Sequence, residues 1–273
     1  MFRTFVLILA LFALMAIPLC AQQSKALTVR QKPQVDSFSP NATNVCAYQF
    51  TSGSGPTYLQ FCVTVNGNIV EFQSPAGVEQ LAQGGSPYEG YGICDRSTGI
   101  GYWDYAYSDS ENWNPPVTVT HNSTSVKIAR TTSDGLWTLT QTISMVKGTN
   151  PYAKMVMALK NNSSASDEGY LVRYANAVPD NAANTAYTES YDGSWESAWG
   201  YCSYTCHNGD PYGLMLQEFG SPTPASIPYG RDGWANGTTL GPDPCNPGAN
   251  LVDTITNGPG SIVYWYGLVL GKQ

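Results

Sequence analysis

The chain has 273 residues and a formal net charge of −7, and only 12% of its residues are charged. Nucleic acids and anionic membranes both recruit proteins through Lys and Arg, so this charge balance argues against either partner. Solubility must come from Ser, Thr, Asn, Gln and Tyr instead, and such a surface suits neutral partners that are rich in hydroxyl groups.

The N-terminal segment 1–21 has the pattern of a secretory signal peptide. Arg3 precedes an apolar run from Phe5 to Leu19, and small residues follow it, so we expect cleavage after Ala21. The run is shorter than the roughly 20 apolar residues of a spanning helix. An uncleaved anchor and a lipoprotein attached through Cys20 are the alternatives. The sequence therefore predicts a secreted, periplasmic or extracellular protein without a transmembrane segment in the mature chain.

The mature chain is predicted to begin with a flexible leader at 22–44, followed by one β-sandwich domain at 45–273. The domain opens with a hairpin centred on Ser54, which would place Cys46 directly opposite Cys62. Cross-strand partners are close enough for a disulfide, so this pair is predicted to be bonded. The next turn is predicted at Asn66-Gly67, a dipeptide that is typical of tight hairpins.

The stretch GYWDYAYSDSENW at 101–113 places Trp103, Tyr105 and Tyr107 on one face of a predicted strand. We expect these three rings to be mostly buried. Later alternating segments are predicted as strands near 116–120, 125–131, 136–146, 152–161, 170–178 and 261–270. Arg173 is a lone cation in an apolar strand, and we expect it to pair with a carboxylate inside the sandwich.

About ten short strands separated by turn signals predict an all-β fold, an antiparallel β-sandwich with little helix. The segment 76–83 is the one candidate for a short helix. Two segments, 83–99 and 179–259, are rich in Gly, Pro, Asn and Tyr and are predicted to be long loops. Binding sites are usually found on such loops.

Six cysteines remain after cleavage, and an even number in an exported chain indicates disulfides. Besides Cys46–Cys62, we favour Cys202–Cys206 as a tight local ring and Cys94–Cys245, so that disulfides would pin the long loops. Zinc bound by the cluster CSYTCH at 202–207 is the alternative.

The segment SVKIARTTSDGLWTLTQTISMVKGTNPYAKMVMALKNNSS, followed by GYLVRYANAVPD, resembles the central strands of galactose-mutarotase-like supersandwiches. The resemblance covers residues 125–180 approximately and extends to secreted bacterial all-β proteins with the same layout. It implies a supersandwich core. The family's enzymes use a histidine acid and a glutamate base. His121 and His207 are the two histidines here, and no glutamate follows Glu218, so the catalytic chemistry is not implied.

Candidate ligand-binding residues lie in two aromatic and acidic stretches. Trp113 follows the strand at 101–113 in a polar loop. The second stretch, 187–201, combines Tyr191, Asp192, Trp195 and Trp199, and rings with a polar handle suit a surface that is both apolar and wet. At least one of the two tryptophans is predicted to line a surface groove near Tyr191 and Glu189.

Glu189 and Glu196 are the catalytic candidates, because glycoside hydrolysis uses two carboxyl groups across a cleft. Asp180, Asn181 and Asn184 could bind calcium through side-chain oxygens, although they lack the spacing of an EF-hand. No other cofactor is predicted.

The sequence therefore supports three functions. The first is a non-catalytic module that binds neutral carbohydrate or a cell-surface partner through an aromatic and acidic face. The second is a glycan-active enzyme, a hydrolase or a lyase-like protein, that uses loop carboxylates. The third is a structural protein of the envelope or matrix.

Overall fold

The computed structural model describes residues 43–83, 88–179, 189–194, 197–202, 212–219, 226–237, 241–258 and 260–271. Its strands are β1 (Tyr48–Ser52), β2 (Leu59–Val63), β3 (Ile69–Gln73), β4 (Glu89–Asp95), β5 (Ile100–Asp104), β6 (Val117–His121), β7 (Ser125–Thr131), β8 (Trp137–Val146), β9 (Tyr152–Asn161), β10 (Asp167–Ala175), β11 (Glu189–Ser194), β12 (Ser197–Cys202), β13 (Tyr212–Gln217), β14 (Ser226–Asn236), β15 (Leu251–Val252), β16 (Thr254–Ile255) and β17 (Ser261–Leu270). Short 3-10 turns lie at Gly55–Thr57 and Pro247–Asn250. The predicted all-β fold is confirmed.

The strands form four antiparallel sheets. A six-stranded sheet has the order β15-β14-β17-β10-β4-β5, and two four-stranded sheets have the orders β6-β7-β8-β9 and β13-β12-β11-β16. A smaller sheet contains β1-β2-β3. Tyr91, Leu171 and Leu268 of the six-stranded sheet pack with Trp137 and Leu139 of β8, which makes a sandwich.

Buried and partly exposed side chains alternate along the strands that form this core. In β8, WTLTQTISMV, every second side chain from Trp137 to Met145 is buried and the residues between them are only partly so. This is the pattern of a strand with one face against the core. A second cluster continues the core through Phe50, Phe61 and Ile143 to the β13-β12-β11-β16 sheet.

Two buried ion pairs lie between the facing sheets. Arg130 on β7 reaches Asp104 on β5, with 2.5 Å between Nη1 and Oδ2, and both side chains are almost fully buried. Asn66 donates a second hydrogen bond to the same oxygen at 2.7 Å. Arg130 also donates to the Tyr91 hydroxyl, which in turn donates to the carbonyl of Asn66. The Asp104 carboxylate is therefore held by charged and neutral donors together.

The second pair joins Arg173 on β10 to Glu89 on β4, with a 2.5 Å hydrogen bond from Nη2 to Oε2. Arg173 also donates to Gln141 on β8 at 2.5 Å, and the backbone N–H of Ile69 donates to Glu89 at 2.7 Å. The expected pairing of Arg173 with a buried carboxylate is confirmed. Burial raises the pKa of Glu89, against the opposing effect of Arg173.

The first hairpin contains the predicted disulfide between Cys46 and Cys62, with 5.5 Å between the Cα atoms. Its register differs from the prediction, because Cys62 lies opposite Gln49 and Cys46 precedes β1. The 3-10 turn at Gly55–Thr57 lengthens the connection on one side and moves the centre of the hairpin beyond Ser54. The next turn follows the prediction, and Gly67 has the positive φ of 92° that favours glycine.

The second disulfide, Cys94–Cys245, is also present as predicted. It attaches a covering segment, 241–251, to the face of the six-stranded sheet that points away from β8. Tyr105 donates from its hydroxyl to the carbonyl of Pro242 at 2.7 Å. A Cβ atom at Gly92 on β4 would lie 2.5 Å from the Pro244 ring, so Pro244 can pack here only because residue 92 is glycine. This face of the sheet is therefore covered.

Three predictions of local structure are wrong. The stretch 83–99, predicted to be a long loop, contains the fully buried strand β4. Residues 76–83 are not helical, because they extend and form single bridges from Glu79 to Gln73 and from Leu81 to Ala177. The Glu79 carboxylate accepts backbone N–H groups of Phe72, Gln80 and Leu81, which fixes this extended path. The stretch 179–259, predicted to be a long loop, contains β11 to β16.

The aromatic stretch at 101–113 follows the prediction only in part. Tyr105 is buried, whereas Trp103 and Tyr107 are half-buried. The strand ends at Asp104, and Ala106 has a positive φ of 68°, so strict alternation stops there. Within the described ranges, no helix is long and apolar enough to cross a membrane.

We predict that Arg130→Met lowers the free energy of unfolding at pH 7 by about 3–5 kcal/mol, because it leaves the buried Asp104 carboxylate without its cation. Arg96 provides the matched control, since its bridge to Glu168 at 3.1 Å is solvent-accessible, with 34% and 45% of the two side chains exposed. Arg96→Met should cost less than about 1 kcal/mol. Urea unfolding measures both, and equal costs would contradict the assigned role of the buried pair.

Asp104 should also give stability a characteristic pH dependence. Burial raises its pKa to about 6, against the opposing effect of Arg130, whereas an unfolded aspartate titrates near pH 4. Between these values the folded chain binds more protons, so its free energy of unfolding falls as the pH rises through this window, by up to about 3 kcal/mol. Asp104→Asn should remove this component. Urea unfolding between these pH values compares the two proteins, and parallel pH profiles would disprove the assignment.

Candidate functional site

The candidate site is the outer face of the β13-β12-β11-β16 sheet. The inner face of this sheet is buried, since Tyr191, Ala198 and Leu214 belong to the same core cluster as Ala235 and Ile262 of the six-stranded sheet. Side chains alternate across each strand, so the intervening residues point outward. The outer face therefore carries a different set of residues from the one that packs the core.

Strand β12, SAWGYC, places small residues inside and large rings outside. Ala198, Gly200 and Cys202 are buried, whereas Trp199 and Tyr201 are half-buried. A Cβ atom at Gly200 would lie 2.8 Å from the Tyr191 ring and 2.9 Å from the Cβ of Ala177. The inner face therefore has no room for a side chain at Gly200, and the aromatic rings of this strand face outward.

The neighbouring strands complete the outer face. Trp199 lies opposite Met215 on β13 and opposite Asp192 on β11, and Tyr201 lies opposite Gly213. A Cβ atom at Gly213 would lie 2.9 Å from the carbonyl oxygen of Gly200 and 3.2 Å from the Cβ of Tyr201. Glycine at this position leaves a depression beside the Tyr201 ring.

These residues form an open groove of about 430 Å³. Its lining consists of Trp199, Gly200, Tyr201, Gly213, Leu214 and Met215. None of them carries a charge, and Met215 is 52% exposed. The groove is a shallow aromatic and apolar surface rather than an enclosed cavity.

Asp192 supplies an acidic group next to the groove. It lies across from Trp199 on one side and Thr254 on the other. The Thr254 hydroxyl donates a 2.7 Å hydrogen bond to its Oδ1 atom, which orients the carboxylate. An ionised carboxylate only accepts hydrogen bonds, so this position suits a ligand that presents hydroxyl groups.

The structure brings two predicted site residues together, Trp199 and Asp192, and separates two others from them. Tyr191 is 1% exposed, and its hydroxyl donates to the carbonyl of Ala177 at 2.8 Å. Burial raises its pKa. Glu189 is 7% exposed and shares the inner side of β11 with Tyr191. Trp199 lines this surface groove, whereas Tyr191 and Glu189 lie on the inner side of the sheet.

Trp113 is a packing residue rather than a ligand platform. It is 4% exposed, and its indole N–H donates to the carbonyl of Trp103 at 3.2 Å. Its ring packs edge-on against Tyr91, with 5.5 Å between centroids, and the Arg130 guanidinium lies 5.1 Å from its centre. The polar residues around Trp113 predicted an exposed loop. In the structure the chain returns to the core at this point, where Trp113 forms a single β-bridge with Thr132.

Several predicted residues lie outside the described part of the chain: Trp195, Glu196, Cys206 and the calcium candidates Asp180, Asn181 and Asn184. Their roles stay predictions. Cys202 is disulfide-bonded, and its pairing with Cys206 likewise stays a prediction. Among the described residues, no group of three His, Cys, Asp or Glu side chains is arranged to hold a metal ion.

Tyr201, Gly213 and Met215 were not identified from the sequence. Tyr201 could have been identified from the alternation of small and aromatic residues in SAWGYC. This alternation is typical of a strand whose small residues face the core and whose large rings face solvent. Gly213 and Met215 gave no such signal, because their proximity to Trp199 depends on the pairing of β12 with β13.

No protein-family model and no curated protein matches this chain. Among solved structures, the chain is similar to a bacterial glucoamylase complexed with acarbose, at 11% identity and a TM-score of 0.48. The similarity covers 90% of this chain and 34% of that structure, so the chain spans about a third of its length.

Proposed function

We propose that this protein is secreted and binds neutral carbohydrate, without catalysis, through the outer face of the β13-β12-β11-β16 sheet. The observation that carries the proposal is the outward placement of Trp199 and Tyr201 beside the depression at Gly213. The disulfides Cys46–Cys62 and Cys94–Cys245 are compatible with export, because such bonds persist in oxidising compartments.

The chemistry of a sugar ring matches this surface. One face of a pyranose presents C–H groups, which pack on an aromatic ring, while its hydroxyls point outward from the ring edge. Trp199 and Tyr201 are alternate residues on one strand, so their backbone positions are about 7 Å apart. Asp192, held by Thr254, is placed to accept hydrogen bonds from the hydroxyls. A mainly apolar groove with few polar groups is the usual form of a ligand site.

Binding is favoured over hydrolysis by the position of the carboxylates. Glycoside hydrolysis uses two carboxyl groups on either side of the scissile bond. Asp192 lies beside the groove, whereas Glu189 lies on the inner side of β11. A glycan-active enzyme would need a second carboxyl group across the groove from Asp192, and the predicted candidate Glu196 lies outside the described ranges. An envelope or matrix protein would need no ligand at this face.

We expect Trp199→Ala to weaken binding to a neutral glycan at least about tenfold, a loss of about 1.4 kcal/mol, because the sugar loses its stacking surface. Trp199→Phe should retain most of the affinity, because a ring remains. The melting temperature of either variant should fall by no more than about 3 °C, since Trp199 packs outside the core. An array of neutral glycans identifies a ligand, and calorimetry measures its affinity.

Val117→Ala is the matched control, because Val117 is an apolar residue, 61% exposed, on the separate strand β6. It should leave affinity unchanged. Unaltered affinity in Trp199→Ala would refute the proposed face. Reducing-sugar release by the wild-type protein would establish an enzyme, and absence of both binding and release would leave a structural role.

A further inference from the structure

A second pair of exposed rings lies beyond the end of β13. Phe219 is 65% exposed and Tyr152, at the start of β9, is 37% exposed. The two rings stack, with 5.4 Å between centroids and 20° between planes. Every other large hydrophobic side chain exposed within the described residues is a valine, except Met215. Phe219 and Tyr152 thus form an exposed aromatic pair in addition to the half-buried rings of the groove.

Phe219 shares the outer face of β13 with the groove. Exposure alternates along the chain from Gly213 through Met215 and Gln217 to Phe219, with the residues between them less exposed. The neighbouring Glu218 points inward, since it accepts a 3.0 Å hydrogen bond from the Tyr264 hydroxyl. Phe219 therefore lies at the far end of the line that begins at the groove.

The length of this line sets the size of the ligand. Phe219 is six positions after Gly213, and an extended chain rises about 3.3 Å per position, so the line measures about 20 Å. This exceeds the length of a disaccharide. Gln217 lies between the two aromatic groups and offers amide donors and an acceptor. Rings at both ends and an amide in the middle match alternating C–H faces and hydroxyls of a sugar chain.

We propose that the binding surface continues along β13 from Trp199 and Tyr201 to Phe219 and Tyr152, and that it takes a linear neutral glycan chain. This rests on the proposed function and specifies its ligand. The outer face of β13 presents Gly213, Met215 and Gln217, none of which is charged, so this part of the strip offers no cation to an acidic polysaccharide. Lys154 shares the exposed face of β9 with Tyr152, and the uronate polymer below tests its contribution.

The test is a length series measured by calorimetry. The probes are disaccharides, tetrasaccharides and hexasaccharides of linear glucans, xylan and mannan, with a uronate polymer for comparison. We expect the hexasaccharide to bind the wild-type protein at least about tenfold more tightly than the disaccharide. Phe219→Ala should lower hexasaccharide affinity about fivefold or more and leave disaccharide affinity unchanged.

Two further variants separate stacking from a general apolar effect. Phe219→Tyr should bind the hexasaccharide as the wild type does, whereas Phe219→Leu should resemble Phe219→Ala. Val117→Ala again serves as the control, and melting temperatures should be similar in all four variants.

The outcomes separate this inference from the proposed function. Equal affinity for disaccharide and hexasaccharide, or an equal loss of both in Phe219→Ala, would overturn the extended strip and leave the groove intact. Preference for the uronate polymer would overturn the choice of a neutral chain. If no neutral glycan binds, the proposed function fails, and the extended strip fails with it.

Discussion

The structure depends on the two ion pairs buried between its facing sheets. Arg130 reaches from one sheet to Asp104 on the other, and Arg173 links Glu89 to Gln141 across the same space. A buried charge without a partner is costly, so the sheets can approach only in an arrangement that satisfies both arginines. A slip of one residue would turn each of these side chains to the opposite face of its strand.

Packing around the six-stranded sheet also determines which face of the β13-β12-β11-β16 sheet is exposed. The six-stranded sheet packs on β8 with one side, and the segment 241–251, held by Cys94–Cys245, covers the other. The third sheet then packs its inner side on Ala235 and Ile262. Its approach is so close that Gly200 has no room for a side chain. The large side chains of β12 lie outside for that reason, and the aromatic groove is a consequence of tight packing beneath it.

Much of the fold could be predicted from the sequence because the strands of the central region alternate strictly. In WTLTQTISMV, the alternation of apolar and polar residues indicates which side of the strand is buried. A carboxylate partner for Arg173 was expected because an isolated cation in an apolar strand needs an opposite charge. Both described disulfides were expected as well. The region 179–259 was misjudged, because its strands contain Gly, Ser and Tyr in place of the branched residues that usually indicate strands.

The fold class, the disulfide at the first hairpin and the aromatic and acidic residues in 187–201 could all be recognised from the sequence, since each depends on residues near one another in the chain. Which of those residues face solvent follows from the way the sheets pack. Trp113 is buried and Trp199 is not, although both have polar neighbours in the sequence. The exposure of a ring depends on what another strand places against it, and that is set by sheet packing rather than by local sequence.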